Sequence, residues 1–382
     1  MPHRTIRSYG MRAACWVCLA GAAAAAPVSI RDPGQGAVAI ATGSTGAAQL
    51  SGITRSAGST YHAVGDDGRA AIWTLSIAID GTTGRVGSAA VTGSLTAAVG
   101  ADAEGIAFRA ASNSLFVVDE STSTVREFAL PGAAVSGTVP VPAIYAAANV
   151  QANLGLESLA FGGGGLWTAN EEALVPDGPR STTTAGSWVR IQRFDALLNP
   201  AGQWAYRTQP TSTTPAFGPA AQSGVVDLLP WTETTLLVLE REFLGVAAGF
   251  QSRLYAIDVA AASDVSGLAS IAADGFTPLS KTLLWEKAFP LTNFEGMTFG
   301  PTLADGSTSL LLVSDDAGGL NTQSLYPLIV VPEPPVAVPV VVAALVAQRS
   351  VRRRFPWPRR RFMTTAPSPC RPAGPPARCR PR

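Results

Sequence analysis

Asp102-Ala103-Glu104-Gly105-Ile106-Ala107-Phe108 is followed by Leu115-Phe116-Val117-Val118-Asp119-Glu120 and then by Val125-Arg126-Glu127-Phe128. Each run is short, apolar and bounded by turn residues, so the stretch reads as three consecutive β-strands, A, B and C. An acid stands at the entry of A and an acid pair at the exit of B. The same arrangement recurs upstream as Ser51-Gly52-Ile53, His62 to Asp66-Asp67, and Ile72 to Leu75. It recurs downstream as Gly155 to Phe161 with Glu157, Leu166 to Asn170-Glu171-Glu172, and Trp188 to Phe194. A fourth copy holds Asp227, Glu240-Arg241-Glu242 and Arg253 to Asp258. A fifth holds Glu295-Gly296, Asp315-Asp316 and a run near Leu325–Val330.

Ser51 and Glu104 are 53 residues apart, as are Glu104 and Glu157; the later copies are 70 and 68 apart, which implies insertions such as Pro176–Gly186. No long stretch has helical periodicity. Repeats of about 50 residues with three or four strands each are the mark of propeller blades. The sequence therefore predicts an all-β fold, a β-propeller over residues 27–330 with five recognisable blades. A sixth blade, degenerate or assembled from Ala37–Ala41 and the region after Asp258, stays open. A β-sandwich is the competing architecture, and the repeated acid positions weigh against it.

Consecutive antiparallel strands place the loop entering A and the loop leaving B on one face. Ser51, Glu104, Glu157, Asp227 and Glu295 at the entries, with the acid pairs at the exits, are thus predicted to crowd one mouth of the propeller. The other mouth receives neutral loops such as Gly162–Gly165. So many carboxylates near one axis cannot all stay ionised and unpaired. Three outcomes are open: a hard cation, protonated carboxyls serving as general acids, or capping by backbone N–H groups with Arg241 or Arg126. The candidate catalytic residues are Glu104, Glu157, Glu240, Arg241 and Glu295. The candidate metal ligands are Asp119, Glu120, Glu157, Glu171, Asp227, Glu242, Glu295, Asp315 and Asp316, with calcium as the ion these oxygen donors suit.

Charge and composition exclude other chemistries. The chain has 28 basic and 27 acidic residues, but Arg349–Arg382 holds 11 arginines and no acid. All the acids lie between Asp32 and Glu333, which leaves the body strongly acidic and unsuited to nucleic acid. The four cysteines, Cys15, Cys18, Cys370 and Cys379, lie at the ends, so the body has no disulfide, thiolate nucleophile or cysteine-zinc site. Its one histidine is His62, so any Ser-His-Asp triad has to use it. The body is expected to be a monomer.

The ends read as targeting segments. Arg4, Arg7 and Arg12 precede an apolar run from Ala13 to Ala26, the pattern of a secretory signal over residues 1–26. Val331-Pro332-Glu333-Pro334, the apolar run Val336–Ala347 and the arginines Arg349 and Arg352–Arg354 resemble a PEP-CTERM sorting signal over 331–354. That resemblance implies transient membrane association and a destination at the cell surface or outside the cell. Residues 355–382 form a Pro/Arg-rich tail that cannot build a core.

The body also resembles a family. Asp102 to Ala107, Asp119-Glu120, Asn153 to Ala160, Leu237 to Glu242, and Glu295-Gly296 followed by Leu310 to Asp316 are similar to the phytase-like family, also called the esterase-like activity of phytase family. The similarity covers residues 50–330 in motif order. It implies hydrolysis of a phosphate ester or another ester, and importance for Glu104, Asp119, Glu120, Glu157, Glu240, Arg241, Glu242, Glu295, Asp315 and Asp316. Asp227 departs from the family's Glu-Gly pattern. A non-catalytic surface propeller that binds an extracellular ligand is the alternative reading.

Overall fold

The structure is a computed structural model, and it describes residues 28–213 and 222–333. The signal expected over 1–26, all but the first three residues of the 331–354 segment, and the 355–382 tail lie outside the described residues.

Five antiparallel sheets make five blades. In blade 1 the strands A to D are Leu50–Ala57, Thr60–Gly65, Ala71–Ile79 and Val86–Thr96. Blade 2 runs from Ala103–Arg109 to Ala134–Val139, blade 3 from Ala160–Gly162 to Pro200–Arg207, and blade 4 from Ser223–Pro230 to Lys281–Phe289. Blade 5 takes its inner three strands, Asn293–Thr302, Thr308–Asp315 and Ser324–Pro332, from the end of the body. Its outer strand, Val28–Arg31, comes from the beginning, with Val28 opposite Pro332 and Arg31 opposite Ile329. The ring is therefore closed by pairing the first strand with the last.

This closure settles the blade number at five. Val38–Ala39 pairs with the other half of Ser324–Pro332 and is an added edge of blade 5. The chain after Asp258 makes a short 3₁₀ turn, Val259–Ala261, and later the outer strand of blade 4. Neither belongs to a sixth blade. The last strand also runs to Pro332, two residues beyond the expected end. Pro332 is tolerated at the terminus of a strand, where a missing N–H costs little.

The blades pack face to face. Leu236 to Leu239 and Leu310 to Val313 are buried at every position because both faces of each blade meet a neighbour. This is why these strands are continuously apolar and do not alternate. The largest core joins blades 3, 4 and 5 through residues such as Trp167, Ile191, Leu237, Leu254 and Phe294. Burying such side chains stabilises by about 1.5–3 kcal/mol each.

The five inner strands pack side by side around the axis. On four of them the register slips at the repeat's acid position, between Leu50 and Gly52, Ala103 and Ile106, Val225 and Asp227, and Phe294 and Gly296. A bulge of this kind re-aims a side chain out of the ladder. The next residue is glycine in three blades, and close packing requires it. A Cβ on Gly52 would lie 2.3 Å from the Glu104 carbonyl oxygen, and one on Gly296 would lie 2.2 Å from that of Ser51. The Glu-Gly signature thus joins an aimed carboxyl to a backbone approach that admits no side chain.

A carboxylate cluster at one mouth

Bulged Glu104 and Glu295 come from the inner strands of blades 2 and 5. Glu157 precedes the short inner strand of blade 3, where Glu157 N–H donates to the Ala169 carbonyl and Ala169 N–H to Ser158 Oγ. Glu120 opens the 3₁₀ turn after strand B of blade 2, and Glu171 follows strand B of blade 3. Oxygens of Asp102, Glu104 and Glu120 lie within 4.8 Å of one another, and so do those of Glu120, Glu157 and Glu171. Glu120 belongs to both triads. The first triad borders a cavity of about 220 Å³ lined by Asp102, Glu120, Ser121, Gln151 and Asn153.

Glu104 is 7% exposed and Glu157 6%, and among the described residues neither carboxyl accepts a hydrogen bond. Glu120 Oε1 accepts from Gly155 N–H, and Glu295 Oε1 accepts from Asn293 Nδ2 at 2.6 Å. Glu171 Oε1 accepts from Gln222 Nε2 and from an Arg241 guanidinium nitrogen, both at 2.9 Å. The same nitrogen is 3.4 Å from Glu295 Oε1.

Burial and mutual repulsion raise these acids. Desolvation, then the charges of Glu295, Asp66, Glu120 and Asp102, hold the Glu104 pKa well above the usual carboxylate range. Glu157 is raised well above that range by desolvation, then by Glu104, Glu171, Glu120 and Glu295. Glu120 is pushed up to about 8, chiefly by desolvation, against the hydrogen bond from Gly155. Desolvation also pushes Glu295 to about 8, against the opposing charge of Arg241, and Asp66 to about 7. Glu171 and Asp315 are raised by the same cause. Desolvation works against the charge of Arg241, but Glu171, Glu295, Glu157 and Glu104 outweigh it and raise its pKa above the ordinary value.

The mouth therefore gathers Glu104, Glu120, Glu157, Glu171, Glu295 and Arg241 as the sequence predicts, with Asp315 close by. Several other predicted residues lie outside the two triads. Asp227 accepts from Leu228 N–H at 2.8 Å and Met297 N–H at 2.6 Å, tying blade 4 to blade 5. The bulged residue of its strand is Val226, so Asp227 occupies the glycine position of the motif. Glu240 accepts from Tyr206 Oη and Lys281 Nζ, each at 2.5 Å, and from Gln209 N–H. Glu242 accepts from Ser212 and from Arg253 at 2.8 Å. Asp119 accepts from the hydroxyls of Ser121 and Thr122. Asp316 caps Gln49 N–H and Gly319 N–H. Glu240, Glu242, Asp119 and Asp227 thus have both oxygens engaged by scaffold groups, and Asp316 has Oδ1 engaged. Arg126 donates to the Ala98 carbonyl and, among the described residues, forms no ion pair with the cluster.

Two members lie outside the predicted ligand and catalytic sets. Asp102 joins the first triad although it stands before its strand, two residues from Glu104. Asp66, an exit acid of blade 1, raises the pKa of both Glu104 and Glu295. The signal for Asp102 was its place as an acid two residues before Glu104, at the entry of strand A.

The donors are all carboxylate oxygens, the chemistry that suits a hard divalent cation. Their raised pKa values also suit a proton donor near neutrality. His62 lies on strand B of blade 1 opposite Thr54 and Thr74, nine-tenths buried, with Nδ1 unpartnered. Desolvation lowers its pKa.

Comparison with known proteins gives one family. The family described as "Phytase-like: Esterase-like activity of phytase" matches residues 45–318. No curated protein sequence matches the chain. Among solved structures, Myxococcus xanthus glutaminyl cyclase is similar at 9% identity and TM-score 0.38, over 78% of this chain and 97% of that one. Kuenenia stuttgartiensis hydrazine synthase is similar at 12% identity and TM-score 0.34, over 71% of this chain; the match spans 57% of the hydrazine synthase chain. The WD40 domain of Toxoplasma gondii coronin is similar at 10% identity and TM-score 0.34, over 76% of this chain and 71% of that one.

Proposed function

This chain belongs to the phytase-like family, and we propose that its acidic mouth binds a hard divalent cation, calcium foremost, and hydrolyses a phosphate ester or another ester there. The observation behind this reading is the pair of overlapping triads, in which Glu104 and Glu157 are nine-tenths buried without a hydrogen bond among the described residues. Buried carboxyls in this state are costly unless protonated or paired with a cation. Asp102, Glu104, Glu120, Glu157 and Glu171 would hold the ion, which would supply charge to draw in an anionic ester and polarise it. Glu295, pushed to about 8 and hydrogen-bonded by Asn293, is suited to give a proton to a leaving alkoxide. Arg241 orients Glu171 and Glu295 and offsets their repulsion.

Export belongs to the same proposal. We place the working protein at the cell surface or outside the cell, with residues 1–26 and the segment after Pro334 as its targeting ends and the 27–330 body as a monomeric propeller. A panel of chromogenic phosphate and carboxylate esters, assayed with chelator and with calcium, tests the activity. Cation-dependent turnover that falls at least a hundredfold in Glu295→Gln supports it. Cation binding with no turnover on any ester would favour the second reading, a binding propeller. One observation speaks for that reading: Nδ1 of His62, the body's one imidazole, lacks among the described residues the acid or hydroxyl partner that a nucleophile's base would have.

A further inference from the structure

The opposite mouth of the channel holds a separate cavity of about 300 Å³. Its walls are the same inner strands, a few residues beyond the acids. Ile53 to Ala57 follow Ser51, Ile106 and Phe108 follow Glu104, and Thr298 to Gly300 follow Glu295. At a rise of about 3.3 Å per residue, this end lies on the order of 10 Å from the carboxylates.

Its chemistry is the reverse of the acidic mouth. No residue lining it is acidic, and Phe108, Phe161 and Phe299 give it half-buried aromatic walls. Glu233, on a neighbouring hairpin, is exposed and is not part of the lining. Arg55 is the one cation of the lining. Its Nε donates to the Gly58 carbonyl at 2.9 Å and one terminal nitrogen to that of Gly300 at 3.2 Å. The other terminal nitrogen has no acceptor among the described residues. Arg109 adds positive charge nearby, its guanidinium 5.6 Å from the Phe161 ring centre.

The rim is held in place between blades. Phe108 N–H donates to Thr54 Oγ1, and Arg55 N–H donates to Thr298 Oγ1, each at 3.2 Å. The walls are thus set before any ligand arrives, which lowers the entropic cost of binding. The size lies at the lower end for small-molecule sites.

We propose that this mouth is a second binding site, for a small apolar carboxylate held between the phenylalanine rings with its charge on Arg55. The terminal nitrogen of Arg55 that has no acceptor is suited to a charge-assisted hydrogen bond to a carboxylate, and the ring walls to an apolar body. The site is independent of the chemistry assigned to the acidic mouth.

Trp231 lies 5.7 Å from Phe299, ring to ring, and reports on the cavity. Benzoate titrated into the full-length protein should change tryptophan emission saturably, with the change lost in Trp231→Phe. Benzyl alcohol, of the same size without the charge, should bind at least tenfold more weakly by calorimetry. Arg55→Met should weaken benzoate at least tenfold. Because Arg55 also ties two loops, Ser56→Phe provides a second variant that fills the rim and should block benzoate with the thermal midpoint retained. Equal binding of benzyl alcohol, benzoate binding that survives Ser56→Phe, or benzoate binding lost in Glu157→Gln at the other mouth would each overturn the proposal.

Discussion

Glu171 Oε1 lies 2.9 Å from the guanidinium of Arg241, and both groups are buried. Glu171 belongs to blade 3 and Arg241 to blade 4. Their contact anchors the one guanidinium within ion-pair distance of the cluster among the described residues. Replacing Arg241 with methionine leaves buried carboxylates without their counter-charge, which costs about 3–5 kcal/mol for a buried pair. The cost should be largest near pH 8 and shrink toward pH 5, well below the value of about 8 to which Glu295 is pushed. Urea unfolding at both values tests this; an equal cost at both would mean that Arg241 acts by packing alone.

The raised pKa values fix the sign of the pH dependence. Unfolded carboxyls titrate near 4.5 for Glu and 3.8 for Asp, whereas in the fold Glu120 and Glu295 are pushed to about 8 and Asp66 to about 7. Between those limits the folded state holds more protons than the unfolded state, so stability falls as pH rises. In the presence of chelator the thermal midpoint should drop from pH 5 to pH 8. Calcium should restore more of it at pH 8 than at pH 5, because bound cation replaces lost protons. A midpoint that rises with pH in chelator would contradict the assignment.

Asp227 separates scaffold from site. Both its oxygens accept backbone N–H groups, and burial raises its pKa well above the usual range, with the bonds from Met297 and Leu228 opposing. Asp227→Ala leaves two buried donors unpaired and should cost about 1–3 kcal/mol each. The stabilisation gained from added calcium should be unchanged. Loss of the calcium response in this variant would return Asp227 to the ligand set.

Much of this was readable from the chain. The five repeats gave the blades, and the rule that A entries and B exits share a face brought Glu104, Glu120, Glu157, Glu171 and Glu295 together. The rest was hidden by two local effects. Side chains alternate along a strand, so Arg241 meets the cluster while Glu240 and Glu242 on either side turn to Lys281 and Arg253. The bulge at Val226 shifts the motif by one residue, and no composition signal marks it. The outer strand of blade 5 was missed because Val28–Arg31 lies some 300 residues from its partner, and pairing at that separation leaves no local pattern.

The glycines after the aimed acids give a prediction about packing. A Cβ at Gly105 would lie 2.7 Å from Leu159 N and 2.9 Å from the Glu157 carbonyl oxygen, both backbone atoms of blade 3. Gly105→Ala should therefore push two inner strands apart and cost about 1–3 kcal/mol. It should also weaken cation binding, since Glu104 and Glu157 sit on the displaced segments. Gly93→Ala, with nothing within 4 Å of its Cβ, is the control. Equal effects of the two changes would contradict the close-approach argument.

The central claim is that the mouth carboxylates bind a divalent cation in place of protons. Calcium calorimetry at pH 7 in two buffers of different ionisation enthalpy measures binding and proton release together. The wild-type chain is expected to bind saturably and to release protons, and Glu157→Gln to bind at least tenfold more weakly. Absence of saturable binding, or binding of equal strength in Glu157→Gln without proton release, would contradict the account.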